Sequence, residues 1–202
     1  MAMLAPFFAR LFPAVCLGCG LAGSPLCAPC AGRTARARTF DSGGLRVRAA
    51  GRYAGTFRRA ILAYKRGRRD VGDVLASLLV AAACDTALSG AVLVPVPTLA
   101  ARRRVRGFDQ SVRIARACGD AYDLPVLLAL SQTARDAQRG RDRFARLHAR
   151  GRFACVAPHV VAGSRVVLVD DVVTTGATLH DCARTLAACG ARVTDALVLA
   201  YA

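Results

Sequence analysis

The chain has 202 residues, 54% of them hydrophobic and 21% charged, with a net charge of +16. This composition excludes a disordered polymer and suits one α/β domain with a proper core plus a small appendage. No apolar run nears the roughly 20 residues of a membrane-spanning helix, so no membrane insertion is expected. A cationic surplus this large points to anionic partners, polyphosphate or nucleic acid, without choosing between them.

From the amino terminus, Leu4, Phe7, Phe8, Leu11 and Phe12 predict an amphipathic helix within residues 1–13. A basic leader and a small-residue cleavage site are both missing there, which argues against a signal peptide. Cys16-Leu-Gly-Cys19 and Cys27-Ala-Pro-Cys30 follow, with Gly18, Gly20 and Pro29 suited to tight knuckle turns. Two such knuckles can offer four thiolates to one structural Zn²⁺ and leave no open coordination position for catalysis; two disulfides are the competing reading. Residues 1–40 are assigned to this module, and the small, basic, turn-rich stretch from Thr34 to Gly44 is expected to be a linker. Cys84, Cys118, Cys155, Cys182 and Cys189 lie among apolar residues and are expected in the core.

Residues 45–202 alternate strand and helix patterns. Leu45–Tyr53 predicts a strand. Thr56–Tyr64 predicts a helix with Phe57, Ala60, Ile61 and Tyr64 on one face, broken by the run from Lys65 to Asp70. Val71–Ala83 predicts a second helix and Ala91–Val96 a buried strand ended by Pro95 and Pro97. Next come a basic loop (Arg102, Arg103, Arg104, Arg106, Gly107), a helix over Phe108–Ala121 and a short strand over Val126–Leu130. Clustered guanidiniums bind phosphate bidentately, and Gly107 permits close backbone approach. Ser131–Arg150 is long, polar and Arg-rich, and suits a lid carrying Arg135, Gln138, Arg141, Arg143 and Arg146. A last strand is expected over Ala191–Tyr201. The alternation implies a mostly parallel, doubly wound sheet with ligands at the carboxyl ends of its strands. Lys65 is the single lysine among 29 basic residues, a position where arginine has not replaced the compact ammonium.

The most specific signal is the run from Val166 to Thr178. Four β-branched or aliphatic residues end in Asp170 and Asp171, followed by Val172, Val173, Thr174, Thr175, Gly176, Ala177 and Thr178, then a helical pattern through Leu179, Cys182 and Leu186. A hydroxyl-rich turn at a helix start aims backbone N–H groups at one point and favours phosphate. Two carboxylates beside it would repel phosphate but can accept hydrogen bonds from a sugar diol. A ribose 5-phosphate moiety satisfies both halves.

This run resembles the phosphoribosyl pyrophosphate (PRPP) signature of type I phosphoribosyltransferases. With the four-cysteine amino terminus, the Ala-Tyr-Lys-Arg-Gly-Arg context of Lys65, Pro95-Val-Pro97, and Arg106-Gly-Phe-Asp-Gln-Ser111, the chain is similar to the ComF/GntX family, competence protein F-like, along nearly its full length. The resemblance implies a type I phosphoribosyltransferase fold carrying a zinc module. It implies Asp170 and Asp171 on the ribose, and Thr174, Thr175, Gly176, Ala177 and Thr178 around the 5′-phosphate. It further implies Lys65 with Arg102, Arg103, Arg104, Arg106 and Gly107 at the pyrophosphate, a lid with Arg135, Gln138 and Arg146, and Mg²⁺ accompanying PRPP. A cytoplasmic setting follows, which favours zinc over disulfides. Transfer of the phosphoribosyl group with release of pyrophosphate is the implied activity. Its alternatives are a PRPP sensor or a non-catalytic single-stranded DNA-binding protein linked to competence and DNA uptake, and a homodimer is a candidate assembly. Two departures stand out: Asp109 replaces the family's Asn, and Ala149 stands where the lid carries Asn.

Overall fold

The computed structural model describes residues 14–83, 88–98, 108–132, 149–150 and 152–202. The expected amino-terminal helix, Cys84, the basic loop with Arg102, Arg103, Arg104, Arg106 and Gly107, and the lid residues Arg135, Gln138, Arg141, Arg143 and Arg146 lie outside the described residues.

Along the chain the elements are α1 (Ala28–Thr34), β1 (Arg38–Ser42), β2 (Leu45–Arg52), α2 (Gly55–Lys65), α3 (Arg69–Ala82) and β3 (Val92–Pro95). They continue as α4 (Gln110–Tyr122), β4 (Leu130–Gln132), β5 (Ala149–Arg150), β6 (Phe153–Cys155), α5 (Pro158–Val161), β7 (Arg165–Val173), α6 (Ala177–Ala187) and β8 (Arg192–Tyr201). Five strands form the main sheet in the order β1-β2-β8-β7-β3. Every pairing is parallel except β1 with β2. A small antiparallel sheet, β4-β6-β5, packs beside it.

Side chains alternate along each strand, so both faces of the central strands are apolar and both are covered. Val167, Val169, Leu197 and Leu199 pack against Phe57, Ile61, Leu75, Leu79, Ile114 and Cys118 of α2, α3 and α4. Val166, Leu168, Ala196 and Val198 pack against Leu179, Cys182 and Leu186 of α6 and Phe153 of β6. The helix after β3 thus covers one face and the helix after β7, the neighbouring strand, covers the other. Where connections diverge in this way, a crevice opens at the carboxyl ends of the two strands.

The stretch from Thr34 to Gly44 is not the linker its composition suggests. Arg38–Ser42 forms an edge strand, joined to β2 by Gly43 and Gly44 with φ of 55° and 86°. A two-residue hairpin turn needs left-handed backbone at both central residues, and Gly-Gly supplies it. The expected strand over Val126–Leu130 is reduced to one parallel bridge, Leu93 to Val126, and β4 begins only at Leu130. β6 and α5 are short elements that periodicity does not reveal. Cys118, Cys155 and Cys182 are buried and Cys189 half-buried, as expected of core cysteines.

Candidate functional site

Asp170 and Asp171 stand three and two residues before Val173, the last residue of β7, at the mouth of the crevice. Neighbouring strand residues point in opposite directions, so the two carboxylates meet different partners. Asp171 Oδ2 lies 2.7 Å from Lys65 Nζ, at the last residue of α2. Lys65 is held there because Tyr64, one residue earlier, is fully buried and donates its hydroxyl to the carbonyl of Gln110 at 3.2 Å. Asp170 accepts the backbone N–H of Asp171 at 2.8 Å. Burial, then the charge of Asp171, pushes the Asp170 carboxyl up to about 8 against the pull of that N–H and of Lys65. One carboxylate is therefore ion-paired, and its neighbour is shifted toward its protonated form.

The turn after β7 reaches α6 through Gly176, whose φ is 76°. A Cβ there would lie 2.6 Å from Ser42 Oγ, so both backbone conformation and space require glycine. Thr174 and Thr175 are exposed, and Thr175 Oγ1 accepts the N–H of Ala177 at 3.4 Å. Gly176, the N-cap of α6, has no side chain to cap the helix; beyond the Ala177 N–H taken by Thr175, the N–H groups of the first turn stand beside these hydroxyls, an arrangement that favours an anion.

Three residues beside this turn were not legible from the sequence. His180 Nε2 lies 3.4 Å from Ser42 Oγ at the tip of the β1–β2 hairpin. Arg152, just before β6, reaches Thr178 Oγ1 at 3.3 Å and Asp181 Oδ2 at 3.2 Å. Sequence spacing could not join residues this far apart; the Gly43-Gly44 pair was the one local signal that a hairpin tip exists.

Across the crevice, Asp109 is the N-cap of α4. Its Oδ1 accepts the N–H of Val112 at 3.4 Å and lies 3.5 Å from Thr98 Oγ1. Phe108 packs on Tyr64 with ring centroids 5.4 Å apart, and Arg69 and Arg113 lie over its ring.

The four amino-terminal cysteines converge, with all ligand atoms within 4.8 Å of one another. Cys16 Sγ is 3.5 Å from Cys27 Sγ, and Cys19 Sγ is 3.7 Å from Cys27 Sγ. Tetrahedral thiolates at a Zn–S distance of about 2.3 Å stand roughly 3.8 Å apart, whereas a disulfide requires about 2.05 Å. All four are free thiols. The N–H groups of Cys27, Cys19 and Gly18 donate to Cys16 and hold its thiol at about 6, well below the ordinary thiol value. Arg33 donates to Cys30 Sγ at 3.2 Å. Such a cluster could bind a metal ion such as zinc. It is tied to the main core, since Cys16, Leu26, Cys30 and Ala31 belong to the same buried cluster as Phe57 and Ile61.

Residues 120–202 match the family described as “Phosphoribosyl transferase domain”. No curated protein matches the chain in sequence. Among solved structures, the allosteric regulatory enzyme of purine biosynthesis is 24% identical, over 62% of this chain and 26% of that one, with a TM-score of 0.44. Glutamine PRPP amidotransferase from B. subtilis, complexed with ADP and GMP, is 25% identical over 66% of this chain and 26% of that one, with a TM-score of 0.41. This chain thus spans about a quarter of the length of either structure. The molecule is a mixed α/β protein with a mostly parallel sheet and a four-cysteine cluster near its amino terminus, and its residues 120–202 are similar to the phosphoribosyl transferase domain family.

Proposed function

We propose that this protein binds PRPP in the crevice at the carboxyl end of β7 and transfers its phosphoribosyl group to an acceptor. The observation that carries the reading is the continuous series of strand, acidic pair, positive-φ glycine turn and uncapped helix start. Asp170 and Asp171 accept hydrogen bonds from the ribose hydroxyls. Thr174, Thr175, Gly176, Ala177 and Thr178 enclose the 5′-phosphate. Lys65, with the basic loop Arg102, Arg103, Arg104, Arg106 and Gly107, faces the pyrophosphate, and Arg135, Gln138 and Arg146 belong to a covering lid.

The bond from the anomeric carbon to the pyrophosphate oxygen breaks, positive charge develops on the ribose, and the acceptor's electron pair forms the new bond. No protein nucleophile is required, so this chain contributes positioning and electrostatics. The carboxylate oxygens of Asp170 and Asp171 are of the donor type Mg²⁺ takes, and the ion bound with PRPP would neutralise the leaving group. The four cysteines hold structural Zn²⁺, the protein is cytoplasmic, and its place is in a ComF-like family linked to competence.

A second reading, binding of single-stranded DNA, draws on the net charge of +16 and on arginines lying against aromatic rings. Arg38 lies over Phe40 and Tyr201, and Arg58 lies over Tyr53. A steep loss of oligonucleotide affinity with salt would support it.

The deciding experiment is calorimetric titration of the zinc-loaded chain with PRPP and Mg²⁺. Asp171→Ala should weaken binding by about 100-fold or more, because it removes a ribose contact and the carboxylate that positions Lys65. Equal binding by wild type and variant would sink the assignment.

A further inference from the structure

We infer that Arg152 is a ligand of the 5′-phosphate, a role that rests on the PRPP reading above and adds a residue from outside the signature. Arg152 stands over the first turn of α6, where a guanidinium is electrostatically out of place. The amino end of a helix is positive and repels a cation. Two features hold it there. Nε and Nη2 both donate to Asp181 Oδ2, at 3.3 and 3.2 Å. Asp181 is itself fixed by Arg184 one turn further along the helix. The ring of Phe153 lies beneath, 5.8 Å from the guanidinium carbon.

The same Nη2 also donates to Thr178 Oγ1 at 3.3 Å, while Nη1 makes no hydrogen bond among the described residues. The side chain remains 55% exposed, so one edge of the fork is anchored and the other is presented to solvent. Thr178 closes the hydroxyl-rich turn. An anion seated in that turn would therefore meet, within one guanidinium's reach, the α6 N–H groups, the threonine hydroxyls and Arg152. A dianion relieves the repulsion between Arg152 and the helix dipole. It also offers the fork a stronger, charge-assisted acceptor than the Thr178 hydroxyl. Asp181 acts as a positioning residue, since it touches Arg152 and leaves the phosphate side free.

The test uses the full zinc-loaded chain and three probes: PRPP with Mg²⁺, ribose 5-phosphate, and pyrophosphate with Mg²⁺. Arg152→Gln should weaken PRPP and ribose 5-phosphate about tenfold or more and leave pyrophosphate within about twofold. Arg152→Lys should recover part of the loss, because a point charge replaces the fork. Asp181→Asn should show a smaller loss on the same two probes. Arg192→Gln, an equal loss of charge on an exposed residue at the far end of the sheet, serves as the control and should bind as wild type does. Circular dichroism and thermal melting confirm folding of each variant. If wild type and Arg152→Gln bind ribose 5-phosphate equally, the role of Arg152 falls and the PRPP reading stands. If pyrophosphate binding falls in parallel, Arg152 acts through general charge and the inference is likewise overturned. If wild type binds neither sugar phosphate, both readings fall together.

Discussion

Two acid clusters sit at opposite ends of the same sheet and are built on opposite terms. Near the amino ends of the strands, Asp195 of β8 is 4% exposed and its partners are in place. Arg48 of β2 reaches Oδ1 at 2.6 Å, while Arg165 of β7 reaches Oδ2 at 3.4 Å and Thr194 at 2.7 Å. Burial alone would raise its pKa, but Thr194 and Arg48 outweigh that and hold it below the ordinary carboxylate value. At the carboxyl ends, Asp170 has a like charge beside it, and Lys65 is engaged with Asp171. The first cluster joins three strands and is complete in itself. The second is incomplete, and in the proposed function the ribose hydroxyls of PRPP complete it. An under-satisfied acid is a cost to the fold, and it is tolerated where binding recovers the cost.

The largest effect separating the two is expected at Asp195. Asp195→Asn leaves the buried Arg48 guanidinium without a full countercharge, a change that typically costs about 3–5 kcal/mol. Urea denaturation should show that loss, while PRPP affinity of the folded fraction stays within about twofold. Because the folded pKa of Asp195 is depressed, its contribution is present above the unfolded value near 4 and is lost as pH falls through the folded pKa. Its removal should flatten the acid limb of the stability profile only.

Asp170 should behave in the reverse sense. Its folded pKa of about 8 lies above the unfolded value near 4. Between those values the folded state holds more protons than the unfolded state, so stability falls as pH rises from about 4 to about 8. Asp170→Asn keeps an acceptor for the Asp171 N–H and removes the titration. It should stabilise the ligand-free protein at pH 8 by about 1–3 kcal/mol, less than the full linkage value because the site is part open to solvent. The same variant should lose PRPP binding. Wild type should release protons on binding PRPP at pH 7, read from calorimetry in buffers of different ionisation enthalpy, and the Asp170→Asn variant should not. A destabilised Asp170→Asn, or binding without proton release, would remove the contrast between the clusters.

What the sequence revealed follows the strength of local patterning. The β7 strand, its acids and the turn were legible because four apolar residues, two acids and a hydroxyl-rich turn stand consecutively. β1 was not, since only Phe40 among Arg38–Ser42 is apolar and an edge strand buries little. Lys65 stood out by its rarity, but its pairing with Asp171 depends on α2 packing against the sheet through Phe57, Ile61 and Tyr64. Arg152 was hidden by an arginine-rich neighbourhood, and its selection comes from contact with Asp181 on a distant helix. The buried Arg48–Asp195 pair was equally hidden, because arginines alternating along β2 resemble a solvated strand face.

Asp109 provides the smallest and most discriminating comparison. At the sequence level it stands as a misplaced carboxylate, an acid where the resemblance to the ComF/GntX family implies Asn beside an anion site. Its carboxylate oxygen is engaged with the Val112 N–H and faces Thr98, so its work is capping α4. Asn caps a helix as well as Asp does, and Ala costs about 1 kcal/mol. Asp109→Asn should therefore change stability by no more than about 0.5 kcal/mol, the small loss being the carboxylate's interaction with the helix dipole. Asp109→Ala should cost about 1 kcal/mol in the same denaturation measurement. The Asn variant has a second, independent readout. The charge of Asp109 helps raise the pKa of Asp170, so removing it should shift the pH dependence of PRPP binding to lower pH and leave affinity at pH 7 equal to wild type or slightly better. A large loss of affinity would instead mean that the Asp109 carboxylate itself touches the ligand, and the incomplete cluster would then number three acids.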